Sequence, residues 1–133
     1  VPGIQDLPND LQKDWLIAAF AAAGEISLGR MPFNGVVTAA YWTPSAVVTA
    51  NVTNYATLAV RNRTAAGAGT ALPATRSYAA TNSAAFVTEA MTLDPTLANI
   101  QFAAGDVLTF QTVWTGTGLA TPQGGLTLHF RVR

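Results

Sequence analysis

The chain has no cysteine, a single histidine and few charges, with Asp, Glu, Lys and Arg together at 11% of its 133 residues. Without cysteine there is no disulfide framework, no thiolate zinc site and no thiol nucleophile. Soluble domains carry about 25% charged residues, so this surface has less than half the usual charge. Seven basic residues balance seven acidic ones. A chain with no cationic surplus cannot displace the counterions of a phosphate backbone, which argues against nucleic-acid binding. No run approaches the roughly 18–20 apolar residues of a membrane span, so no membrane partner is expected. The nearest run, Trp15 to Ala23, is flanked by Asp6, Asp10 and Asp14 against Lys13, the wrong sign for a signal peptide.

What is present is apolar. Half the residues are hydrophobic, enough to rule against disorder and to fill the core of one domain. A neutral, charge-poor surface is poorly soluble on its own, which points to a protein that spends its life against others. Charge is also unevenly placed. Asp6, Asp10, Asp14 and Glu25 face Lys13 alone in residues 1–25, so the remainder is net basic.

Leu11, Trp15, Leu16, Ala19, Phe20 and Ala23 recur at helical spacing behind Pro8-Asn9-Asp10, with Gly24 placed as a stop. This spacing predicts an α-helix over residues 9–23, inside an N-terminal arm of residues 1–34. From Gly35 the period falls to two. Strands are expected near 35–42, 46–50, 54–62, 71–80, 85–92, 97–102, 107–115 and 126–133. In the last, Leu126, Leu128, Phe130 and Val132 alternate with Thr127, His129, Arg131 and Arg133. About seven or eight short strands between Gly, Pro and Asn turns read as an all-β, jelly-roll-like sandwich over residues 35–133. Ala and Thr make up about a third of the chain. Thr suits strands, while so much Ala points to close approach of sheets or subunits.

Catalytic chemistry is hard to assemble from these residues. His129 would need a partner among Ser27, Ser45, Ser77 and Ser83, none of which lies in a Gly-x-Ser-x-Gly elbow. Asp94 before Pro95 and Asp106 after Gly105 read as turn residues. No calcium loop is spelled out, and Gly67-Ala68-Gly69 lacks the rest of a phosphate cradle. No catalytic, cofactor-binding or metal-binding residue is therefore assigned, and no cofactor is expected. Arg61, Arg63 and Arg76 flank the Gly67–Gly69 loop. Salt bridges to acidic protein surface or to the acidic arm suit them better than stacking on single-stranded nucleic acid.

Several segments in order resemble tailed-bacteriophage structural proteins. They are GVVTAAYWTPSAVVT at 35–49, NYATLAVRN at 54–62, GAGT at 67–70, AGDVLTF at 104–110 and GTGLATPQGG at 116–125. As a set they are similar to small head decoration (cement) proteins and related head modules. The resemblance implies a β-sandwich on the capsid exterior, assembled in the host cytoplasm. It also implies the major capsid protein as partner, a homotrimer, and capsid stabilisation as the role. Trp15, Phe20, Phe33 and Trp42 are the candidate partner-binding anchors, because aromatics dominate binding hot spots; each is equally assignable to the core. Two other readings stay open. One is a carbohydrate-binding sandwich using Tyr41, Trp42, Tyr55, Tyr78 and Trp114. The other is a tail- or fibre-associated structural protein.

Overall fold

The computed structural model describes residues 10–133. Ten strands and one helical turn follow in order: β1 (Asp10–Ile17), β2 (Gly24–Arg30), β3 (Gly35–Pro44), β4 (Tyr55–Asn62), β5 (Ala71–Ser77), β6 (Glu89–Ala90), β7 (Thr92–Leu93), α1 (Leu97–Ile100), β8 (Gln101–Phe102), β9 (Val107–Thr115) and β10 (Gly124–Val132). They form two antiparallel sheets. The first runs β1-β10-β3-β6, with β8 also on β3; the second runs β2-β9-β4-β5-β7.

Period-two sequence explains the long strands. On β10, Leu126, Leu128 and Phe130 are buried while Thr127 and His129 between them reach outward. On β4, Ala56, Leu58 and Val60 are fully buried. The inner faces meet in one core, where Trp42 of β3 stacks on Phe110 of β9 with ring centroids 5.5 Å apart. Each fully buried Leu, Val or Phe contributes about 1.5–3 kcal/mol of transfer free energy, so strand pairing and core burial reinforce each other.

The helix expected over residues 9–23 is not formed. Residues 10–17 are β1, paired along their whole length with β10 from Asp10↔Arg131 to Ile17↔Gly124. Residues 24–30 are β2 on the outer edge of β9, so Gly24 opens a strand and stops no helix. The same apolar residues fit two periods, since Trp15 and Ile17 also alternate with Asp14 and Leu16. Ile17 is buried whereas Leu16 is 74% exposed, the signature of a strand. Two open sheet edges decide between them: β10 and β9 each have a ladder to complete, and pairing outweighs helix propensities of tenths of a kcal/mol. Residues 10–30 thus supply the outer strand of both sheets. The expectations for residues 1–9, including the charge of Asp6, lie outside the described residues.

Elsewhere the expected strands at 35–42, 54–62, 71–80, 107–115 and 126–133 correspond to β3, β4, β5, β9 and β10. Residues 46–50 form only a bridge, Val48↔Ser83. Residues 85–92 shrink to β6 and the start of β7, and 97–102 is a helical turn before β8. Gly105, at φ +95°, makes the turn into β9, as its sequence position requires.

Candidate functional site

The groups with chemical potential are spread out or already paired. His129 faces outward and meets the Tyr41 ring edge-on at 5.4 Å. The serines weighed as its partners bond elsewhere. Ser45 donates to Gln123 O at 2.6 Å, and the Ser27 and Ser77 hydroxyls accept from the Gly29 and Ala79 amides. Asp94 accepts from the Thr96 amide and Asp106 from the Ala103 amide, so both close local turns. Among the described residues no three His, Asp or Glu side chains converge as a metal site would require.

The three arginines separate. Arg61 donates to Gly69 O at 2.9 Å. Arg63 grips Glu25 through two nitrogens, at 2.8 and 2.5 Å, so one acidic residue of the N-terminal segment binds the basic remainder within the same chain. The Arg63 guanidinium holds the Glu25 carboxyl down at about 2 against the opposing effect of burial; the Thr109 hydroxyl, which donates to it, acts in the same direction.

Arg76 organises the most connected cluster. It is 8% exposed, and its Nη2 donates to Glu89 at 2.9 Å and to Ser83 Oγ at 3.1 Å. Its guanidinium lies over the Tyr78 ring, 4.1 Å from the centroid. Ser83 gives its one hydroxyl proton to Glu89 at 2.6 Å. The Tyr78 hydroxyl, 2.9 Å from Ser83 Oγ, then supplies the proton of that contact and accepts from Trp42 Nε1 at 3.1 Å. The chain Trp42 to Tyr78 to Ser83 to Glu89 therefore runs in one direction and leaves every member satisfied. Burial raises the Tyr78 phenol above its ordinary value, so it stays a protonated donor. A cleft of about 390 Å³ opens beside Arg76, Glu89 and Thr81. All three guanidinium nitrogens of Arg76 already donate within the chain, and among the described residues no nucleophile–base pair lines the cleft.

This cluster braces a loop. Ser83 and Glu89 stand at the two ends of residues 83–89, and both are tied to Arg76. Ser83 also bridges Val48 through two backbone bonds, and Glu89 pairs with Trp42 on β3. Between them the Phe86 amide donates to Pro44 O at 2.7 Å, and the Thr88 and Thr43 hydroxyls meet at 2.8 Å. At the apex, Phe86 is 75% exposed and has φ +59°. That left-handed conformation is disfavoured for a bulky residue and persists only where the surroundings impose it. Val87 beside it, and Val47 on the loop bridged to Ser83, are also exposed. An apolar tip is thus presented on a rigid support.

The four expected anchors are not brought together. Trp42 is 1% exposed, a core residue whose indole is occupied by Tyr78 and Phe110; its bulk and alternation signal the core as readily as an interface. Phe20 is half-buried against Phe110. Trp15 is half-buried, and its Nε1 donates to Leu28 O at 3.0 Å, linking β1 to β2 across the sandwich edge. Phe33 lines a second, apolar cleft with Phe130 and Met31. Phe86 was missed because it follows two alanines in a stretch that reads as an ordinary strand. Of the aromatics weighed for a sugar platform, Trp42 and Tyr78 are buried, and the Trp114 ring covers the turn at Gly118 so closely that any Cβ there would collide with it.

No protein-family model, curated protein or solved structure matches this chain. The class defined by the coordinates is an all-β protein of two antiparallel sheets around one core.

Proposed function

We propose that the protein is a non-enzymatic structural component of a virion, a β-sandwich that binds the outer surface of a tailed-phage capsid and stabilises it. The observation that carries this reading is the braced loop with exposed Phe86 at its tip. An aromatic held rigid before binding loses little entropy when it docks, and such residues dominate protein interfaces. A surface with few charges favours the same use.

The strand order supports a jelly roll. β1-β10-β3-β6 and β2-β9-β4-β5 interleave as two Greek keys do, an architecture shared by viral capsid and lectin domains. That is analogy at the level of fold; the functional argument rests on the loop. A homotrimer on the major capsid protein fits the reading, since repeated sites multiply weak contacts into avidity.

Co-sedimentation of the purified protein with expanded capsids of the phage that encodes it tests the proposal. Saturable binding, weakened by Phe86→Ala or by removal of the outward valines, is the expected result. Absence of the protein from capsids, or its location on tails or fibres by electron microscopy, would overturn it.

A further inference from the structure

The cleft formed by Leu11, Met31, Pro32, Phe33 and Phe130 holds about 160 Å³. It is built where three rings converge: Phe33 lies 5.7 Å from Phe102 and 6.5 Å from Phe130, and Phe102 lies 5.4 Å from Phe130. Apolar cavities of about 150 Å³ take up a benzene ring. The exposed Arg30 also lines it, and cations bind the faces of aromatic rings; Lys13 at the rim already lies over the Trp15 ring. Volume and lining therefore suit a phenyl group.

The same chain carries such a group, but at the other end. Leu11 pairs with Phe130, and Phe130 with Val37 near the start of β3. Phe86 is tied to Pro44 at the end of β3. Seven residues of strand run from Val37 to Pro44, roughly 23 Å at ~3.3 Å per residue, so Phe86 does not sit in the cleft of its own molecule.

We infer that the occupant is a second copy of this chain, with the braced Phe86 tip of one molecule seated in the Leu11–Phe33–Phe130 cleft of the next. Knob and socket are different surfaces, so the contact is head-to-tail and builds a ring if the rotation closes, or an open chain if it does not. The inference rests on the reading of the Phe86 loop as a docking element and gives that loop to the contact between copies, so that Phe86→Ala weakens capsid binding through loss of avidity.

Sedimentation and light scattering on the purified full chain test it, with Phe86→Ala removing the knob and Leu11→Glu blocking the socket. Pro32→Glu is a second socket variant should Leu11→Glu fail to fold. The wild type is expected to self-associate with concentration, and each variant to weaken that association more than about tenfold. A mixture of knob and socket variants retains one working surface of each kind and is expected to give a 1:1 dimer and nothing larger. A wild-type monomer at all concentrations would overturn the inference, as would variants that associate like the wild type or a mixture that stays monomeric. Capsid binding by a monomer would leave the proposed function standing while this inference fails; self-association without capsid binding would do the reverse.

Discussion

Two arginine–carboxylate pairs among the described residues do different work. Arg63 and Glu25 sit at the edge where β2 joins the second sheet, with side chains 33% and 23% exposed. Arg76 on β5 of the second sheet reaches Glu89 on β6 of the first, beside the Phe86 loop, and Arg76 is almost wholly enclosed. An exposed pair gains little, because water screens the attraction and two long side chains lose freedom. An enclosed pair is held by its hydrogen bonds, and breaking one side strands the other charge. The first is a clasp on an edge strand. The second is a brace that fixes the geometry of a loop.

The largest expected difference comes from Arg76→Ala. It leaves the enclosed Glu89 carboxylate without its cation, Ser83 Oγ without one of its two donors and the Tyr78 ring uncovered, and should cost about 3–5 kcal/mol in chemical denaturation. A loss below 1 kcal/mol would put this pair in the same class as the clasp. Tyr78→Phe keeps the ring under the guanidinium but removes the hydroxyl between Trp42 and Ser83. Trp42 Nε1 is then buried without an acceptor, at about 1–3 kcal/mol. At the opposite edge, Trp15→Phe removes only the indole bond to Leu28 O that links β1 to β2. The expected loss is about 0.5–1.5 kcal/mol, with earlier hydrogen exchange at β1 than at β3.

Glu25→Gln should have the smallest effect at neutral pH and is best seen through its pH dependence. The folded carboxyl titrates at about 2, below its ordinary 4.5. A depressed carboxylate contributes its stability fully above the unfolded value and loses it as pH falls toward the folded one. The gap between wild type and Glu25→Gln should therefore be constant above pH 4.5, narrow below it and vanish near pH 2. A gap independent of pH would show that the clasp is not ionic in origin.

The all-β character of residues 35–133 was readable because strand period and turn chemistry agree there. In β4 and β10 every second residue is apolar, and Gly105-Asp106 marks the turn between β8 and β9. Residues 10–30 misled because Leu11, Trp15, Phe20 and Ala23 satisfy a helical period while Trp15 and Ile17 satisfy a strand period. Nothing local separates the two. The deciding partners, β10 and β9, lie far along the chain, from Asp10↔Arg131 to Arg30↔Val107, and present open ladders that only a strand can complete. Trp42 shows the same limit at the level of one side chain. Its aromatic bulk marks it as important, but the choice between core and interface depends on whether Tyr78 and Phe110 lie opposite it.

The candidate site was less readable still. Arg76, Ser83 and Glu89 are unremarkable in sequence, and Phe86 sits in a stretch resembling a buried strand. Their meaning lies in contacts across seven to fifty residues: Arg76 to Ser83, Ser83 to Val48, Trp42 to Tyr78 and to Glu89.

The amino-acid sequence by itself determined that this protein is β-rich, neutral, free of thiol chemistry and poor in charge, because composition and period are local properties that survive any arrangement of the chain. Only the tertiary structure decided that residues 10–30 are strands, that Trp42 is core, and that Phe86 is exposed on a braced loop. Each of those depends on long-range pairing, where a ladder hydrogen bond or a buried guanidinium outweighs the small local preferences of the residues involved.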